Sequence, residues 1–156
     1  MKHNEYKNHV QSLLQEKLPR DFRLIDADKG PGTLKKRPDF YIVQGRIWSV
    51  ELKTKGVRQE VEGGLEQCRD YLERCDPPAI LVIPKVQMVP KLEDMAWEKE
   101  FMSLISSGRV RIVEIDPQTS NIKPVHLKFD EGQKLKRVRC GEQTDLMSLL
   151  YSNSTR

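Results

Sequence analysis

Between Pro38 and Lys53 the chain reads as two short strand-like runs folded around Gly45, and it reaches a wholly apolar run, Ala79 to Ile83, only after a helix-length stretch. That order constrains the fold more than composition does. A hairpin joined to a buried strand through a helix calls for a sheet with both antiparallel and parallel neighbours and a right-handed crossover. An α/β architecture follows, with a mixed central sheet flanked by helices.

Strand side chains alternate faces with period two, so Glu51 and Lys53 share a side with Ser49 while Trp48, Val50 and Leu52 take the other. A turn centred on Gly45 sets Asp39 directly opposite Glu51. A two-residue turn at Gln44-Gly45 or Gly45-Arg46 sends the two acids to opposite faces instead. In the first register the carboxylates sit on Cβ atoms about 4.5–5.5 Å apart, an unfavourable like-charge pair that asks for a cation between them. Oxygen ligands at that separation suit Mg²⁺ or Mn²⁺, and the Lys53 ammonium can hold or deprotonate a water.

The remaining elements follow from periodicity. Tyr6, Val10, Leu13, Leu14 and Leu18 recur at helical spacing, predicting a helix over 4–18 that Pro19 ends, with Glu5, His9, Ser12 and Glu16 along its polar side. Phe22 to Asp26 is a strand candidate, followed by a Gly30-Pro31-Gly32 turn and the basic cluster Lys35, Lys36 and Arg37. After a loop at Thr54 to Gln59, Val61, Leu65, Cys68, Leu72 and Cys75 mark a second helix, stopped by Asp76-Pro77-Pro78. Gly63-Gly64 inside it implies either a frayed first turn or a close approach by another backbone. Further on come a helix around Leu92 to Ser106, a strand at Val110 to Ile115 and, past the Asp116-Pro117 turn, an edge strand at Val125 to Phe129, since Pro124 discourages a central one. Lys134, Lys136, Arg137 and Arg139 form a basic segment, and Leu146 to Tyr151 a short docking helix. Trp48 and Trp97 fall at core positions.

A length of 156 residues is enough for one domain with a real core. The charged fraction is 32% and the net charge +4, a mild basic excess that permits nucleic-acid binding without requiring it. Met1 to Asn8 is polar, unlike a signal peptide, and apolar runs stay far below the ~18 residues of a membrane span, so a cytoplasmic protein without membrane contact is expected. Cys68, Cys75 and Cys140 lack paired metal-ligand spacing and read as free thiols in a reducing compartment.

Pro38-Asp39 followed by Glu51-Leu52-Lys53 resembles the PD-(D/E)xK nuclease superfamily. Gln67 and Tyr71, within Leu65 to Leu72, are similar to the Gln-x-x-x-Tyr motif of its RecB-like branch. The resemblance spans roughly residues 4 to 84, extending toward 115. It implies a restriction-endonuclease-like core of order αβββαβ, with a nuclease domain over 1–130 and residues 131–156 as a basic extension. It further implies a metal-dependent DNA nuclease, cutting internally or from ends, with Mg²⁺ or Mn²⁺ as cofactor. Asp39, Glu51 and the Leu52 backbone carbonyl would be metal ligands, and Lys53 would set the attacking water. Such a site needs no protein nucleophile, because a divalent ion lowers the pKa of bound water and offsets charge on the phosphoryl oxygens.

The same family often draws another acid from its first helix, for which Glu5 is the choice and Glu16 the rival on the same stripe; both also fit a plain solvated face. His9 reads as a surface or supporting residue, and Asp26 and Asp28 as turn or capping groups. Gln67 and Tyr71 would adjoin the substrate, and Lys35, Lys36, Arg37 and Lys55 would hold phosphates without reading sequence. Similar nucleases carry an iron-sulphur cluster on four cysteines; with three in the chain, no cluster is expected. Junction-resolving relatives act as dimers, so a homodimer through Leu146 to Tyr151 is plausible. The alternative function is a nuclease fold used as a DNA-binding or assembly subunit without chemistry. A third reading is an interaction domain carrying the motif by accident.

Overall fold

A computed structural model describes residues 2–27, 37–84, 97–127 and 143–151, with side chains from 146 onward in the last segment. In chain order the elements are α1 (His3–Lys17), β1 (Arg23–Asp26), β2 (Phe40–Val43), β3 (Ile47–Leu52), α2 (Arg58–Tyr71), β4 (Ala79–Ile83), α3 (Lys99–Ser106), β5 (Val110–Ile115), β6 (Ile122–Pro124) and α4 (Gln143–Tyr151). Among the described residues the strands form one sheet of six in sequence order, β1-β2-β3-β4-β5-β6. The β1–β2–β3 meander is antiparallel, β3, β4 and β5 run parallel, and β6 returns antiparallel along the far edge. The chain is therefore α/β with a mixed sheet, as the hairpin–helix–strand order requires.

Alternation along the strands sorts the core into two layers. Val50 and Leu52 of β3 and Ile80 and Val82 of β4 pack with Tyr6, Val10 and Leu14 of α1 and with Leu146 and Leu150 of α4. On the other face Ala79, Leu81 and Ile83 pack with Val61, Leu65 and Cys68 of α2 and with Phe101 and Met102 of α3. All five side chains of β4 are buried, because helices cover the strand on both faces. Tyr6 locks α1 onto this arrangement by donating its hydroxyl to the Ile115 carbonyl at 2.9 Å.

Several expected boundaries shift by tertiary detail. The described edge strand occupies 122–124; 125–127 of the expected strand lie beyond it, and 128 and 129 lie outside the described residues. The turn after β5 closes early: Ser120 N–H donates to the Asp116 carbonyl at 2.8 Å, and Asp116 N–H to the Asn121 carbonyl at 3.2 Å. The returning chain pairs at once, Ile115 with Ile122, and Pro124 ends the strand opposite Val113 at the sheet edge, where a missing N–H is tolerated. Helix α3 starts at Lys99 after a buried Trp97; positions 92–96 of the expected helix lie outside the described residues. The basic segment with Lys134 and Arg137 also lies outside them.

The expected C-terminal extension includes a helix that belongs to the main core. Leu146, Met147 and Leu150 of α4 are buried with the α1 layer. Those apolar side chains are engaged within the chain.

The glycine pair resolves into two different cases, both well inside α2 rather than in a frayed first turn. A Cβ on Gly64 would lie 2.5 Å from Leu81 Cδ1, whereas one on Gly63 would meet nothing within 4 Å. Gly64 thus sets how closely α2 approaches β4, because an added methyl group would have to displace the fully buried Leu81 side chain. Gly64→Ala should destabilise the protein by about 1–3 kcal/mol, and Gly63→Ala should stabilise it by about 0.5–1 kcal/mol. Urea denaturation midpoints of the two variants check this pair of opposite signs.

Candidate functional site

The β2–β3 register pairs Phe40 with Val50 and Val43 with Ile47, leaving the three residues Gln44, Gly45 and Arg46 as the loop. Gly45 takes φ 64°, the left-handed conformation that a side chain resists. Gln44 N–H donates to the Arg46 carbonyl at 2.9 Å, so the turn is odd-numbered and centred on Gly45. Continued one residue beyond Phe40–Val50, this register sets Asp39 across from Glu51. Both are almost fully buried, at 8% and 6% exposure. Buried charges of like sign at facing positions must find compensation nearby.

That compensation comes from three directions. Asp39 Oδ2 accepts the backbone N–H of Leu52 at 2.8 Å, and Oδ1 lies 3.0 Å from His3 Nε2 at the start of α1. Glu51 Oε2 accepts the Tyr71 hydroxyl at 2.8 Å. The same hydroxyl is 2.9 Å from the Arg37 carbonyl, so one proton lies between two acceptors. Tyr71 closes α2, yet side chains on a helix lean toward its N-terminus, which carries the phenol up along β3 to Glu51. Burial raises its pKa most, and the Glu51 carboxylate raises it further, as does Asp39. Both acids therefore lie within electrostatic reach of one hydroxyl.

Lys53 continues the Glu51 side of the strand. Its N–H joins the ladder to the Val82 carbonyl at 2.9 Å. The buried Cys68 thiol, pushed up mainly by desolvation, feels both side chains: Glu51 raises its pKa and Lys53 lowers it. Acid and amine consequently face α2 together, as period-two alternation requires. The Leu52 N–H points the other way, toward Asp39, and a strand residue's carbonyl points to the same side as its own N–H.

Gln67, one turn before Tyr71, is half-buried, and its Oε1 is buried without a hydrogen-bond partner. Ser49 Oγ, two residues before Glu51 on the same face, is likewise buried and unpartnered. Orphaned buried polar atoms are uncommon, and these two lie on β3 and α2, the elements that carry the carboxylate–phenol pair.

Other expected site residues fall elsewhere. Glu5 and Glu16 are exposed on α1, and no described contact joins either to Asp39 or Glu51. His9 meets Ser120 Oγ at 3.3 Å, on the β5–β6 turn. Asp26 is an ion-pair partner rather than a capping group: Lys7 Nζ lies 2.9 Å from its Oδ1, with both side chains largely buried. Arg37 donates Nη1 to the Ala27 carbonyl at 3.2 Å, and Lys55 is exposed in the loop after β3. Lys35, Lys36 and Asp28 lie outside the described residues.

Two residues that sequence reading passed over hold α1 to the site. His3 and Lys7 are one turn apart; the first reaches Asp39, and the second pairs with Asp26 while its ammonium lies 5.3 Å from the Phe40 ring centroid. The signal for them was slight, since charged side chains bordering an apolar stripe ordinarily extend their heads to water. Among the described residues no three His, Cys, Asp or Glu side chains are grouped so as to hold a metal ion.

No family model matches the chain, and no curated protein does. Among solved structures, a protein of unknown function from Silicibacter pomeroyi is similar at 15% identity, with a TM-score of 0.42 over 95% of this chain and 82% of that one. No described helix is long and apolar enough to cross a membrane.

Lys7→Met should destabilise the fold by about 1–3 kcal/mol, because it removes the cation paired with the largely buried Asp26 carboxylate; denaturant unfolding measures it. The raised tyrosine pKa values predict alkaline instability of defined sign. Tyr6 and Tyr71 stay protonated in the folded chain above their unfolded value near 10. The folded state then holds more protons than the unfolded one, and stability falls as pH rises beyond 10. Tyr71→Phe should flatten that slope in unfolding midpoints followed upward from pH 9.

Proposed function

We propose that the chain is a metal-dependent nuclease that hydrolyses phosphodiester bonds in DNA, on a restriction-endonuclease-like core of the RecB-like kind. The observation that carries this reading is the odd turn at Gly45, which aligns Asp39 with Glu51 while Lys53 shares the Glu51 side. The residues fit a hard divalent cation, Mg²⁺ or Mn²⁺. Such an ion is commonly held by one or two carboxylates, its remaining positions going to water and substrate phosphate, so a third acidic ligand is not required. Each carboxylate keeps unused lone pairs beyond its hydrogen bonds, and the unpartnered Gln67 Oε1 is a further oxygen acceptor within the adjoining layer.

In this reading Asp39, Glu51 and the Leu52 carbonyl hold the cation, with His3 as an additional donor at Asp39 in place of the expected Glu5. A bound divalent ion would supply an acidified water and neutralise charge gathering on the phosphoryl oxygens. Tyr71 donates to Glu51 and fixes its rotamer, a positioning role rather than the substrate contact expected of it. Lys53 places the attacking water, and Gln67 adjoins the substrate. Arg37, Lys55 and the neighbouring Lys35 and Lys36 bind backbone phosphates on either side.

The second reading is a nuclease fold used as a DNA-binding or assembly subunit without chemistry. Purified protein incubated with single-stranded, duplex and branched DNA separates the two. Cleavage is expected only with Mg²⁺ or Mn²⁺, and Asp39→Ala and Lys53→Ala should each lower its rate by at least about a hundredfold. Binding with no cleavage under any metal condition would select the second reading, and neither binding nor cleavage would sink both.

A further inference from the structure

A cavity of about 270 Å³ opens where the C-terminal helix crosses the far edge of the sheet, between β5, the residues after β6 and α4. Its lining is mostly apolar, with Ile105, Val110 and Met147 among its walls, and its polar members are Arg111, His126, Ser148 and Tyr151. None of these groups takes part in the site described above.

Arg111 is the anomaly. Its guanidinium carries a charge at any ordinary pH, and its Nε is buried without a hydrogen-bond partner. A native chain rarely leaves such a donor unmatched, and Arg111 is one of the cavity's lining residues, which sets its guanidinium beside the space an outside acceptor would enter. The β5–β6 ladder adds a second donor beside it. Val125 N–H extends the pairing to the Ile112 carbonyl at 2.9 Å, and the next facing pair in that register is Arg111 with His126. Tyr151 comes from above on α4. Burial pushes its phenol up to about 12 against the opposing pull of Arg111, so it remains a protonated group within electrostatic reach of the guanidinium.

One permanent positive charge in an apolar cavity matches one negative charge. A phosphate dianion would leave an uncompensated charge against apolar walls, whereas a carboxylate takes the guanidinium fork with two parallel hydrogen bonds. The volume falls just below the ~300–1,000 Å³ of drug-sized pockets, which sets the partner as a small molecule. We propose that this cavity binds a small monocarboxylate with an apolar body, its carboxylate on Arg111 and its body against Met147.

The test is direct binding, and it stands independently of the nuclease reading. Titration of the full chain with benzoate, followed by amide NMR, should shift signals at 110–112 and 147–151. Arg111→Met should weaken benzoate by about tenfold or more, the loss expected for a hydrogen bond to a charged group. Benzyl alcohol, with the same ring and no charge, and inorganic phosphate, with charge and no apolar body, should each bind at least about tenfold more weakly than benzoate. Ser148→Leu, at an exposed helix position that fills the cavity mouth, should weaken benzoate while leaving the fold intact. Equal benzoate affinity in Arg111→Met and the parent, phosphate binding as tight as benzoate, or no benzoate binding at millimolar concentration would each overturn the proposal. Should Arg111→Met fail to fold, an unchanged affinity in Ser148→Leu would overturn it as well.

Discussion

Two buried carboxylates facing each other across a hairpin are the constraint around which the described structure is arranged. Asp39 and Glu51 repel at that separation, and neither has enough water to screen the charge. Each is therefore met by a donor from a different element: the Leu52 N–H within the sheet, His3 from α1 on one side and Tyr71 from α2 on the other. A three-layer packing is what brings those donors together. Were α1 or α2 absent, one of the acids would lose the donor that helix supplies.

The two helices are fixed by contacts of different kinds. α1 is held by apolar packing through Tyr6 and Val10, and by the buried Lys7–Asp26 pair that ties it to β1. α2 is held by close approach, since Gly64 lets it settle against Leu81 of β4. Positioning of Tyr71 and Gln67 depends on that approach, because a helix lifted by a methyl group would draw the Tyr71 hydroxyl away from Glu51. Packing energetics and site geometry are one problem in this layer.

Much of this was legible in local patterns. The wholly apolar run at 79–83 marked a strand covered on both faces, and the apolar spacing from Tyr6 to Leu18 marked a helix that Pro19 ends. Gly45 made a three-residue turn attractive, and the side shared by Glu51 and Lys53 followed from alternation alone. The helix-borne partner of Asp39 was not legible. Glu5 has the expected chemistry but faces solvent, while His3, two residues earlier, faces the hairpin; a rotation of α1 by the angle between them reverses the assignment. Packing of Tyr6 and Val10 against the sheet decides that rotation. Tyr71 was found by its motif, yet its partner was not, because nothing local says how far a side chain at the end of α2 reaches along β3. The edge strand moved for a similar reason: the Asp116–Asn121 turn closed sooner than Pro124 implied.

By itself, then, the amino-acid order determined the elements, their sequence and the face each strand residue takes, because these depend on torsion preferences and on periods of two and 3.6 residues. Tertiary structure decided the hairpin register among the turns open to it, the rotation of α1, the approach of α2 and the docking of α4. Those depend on contacts between residues far apart in the chain, whose free energies are settled only when both layers close on the sheet.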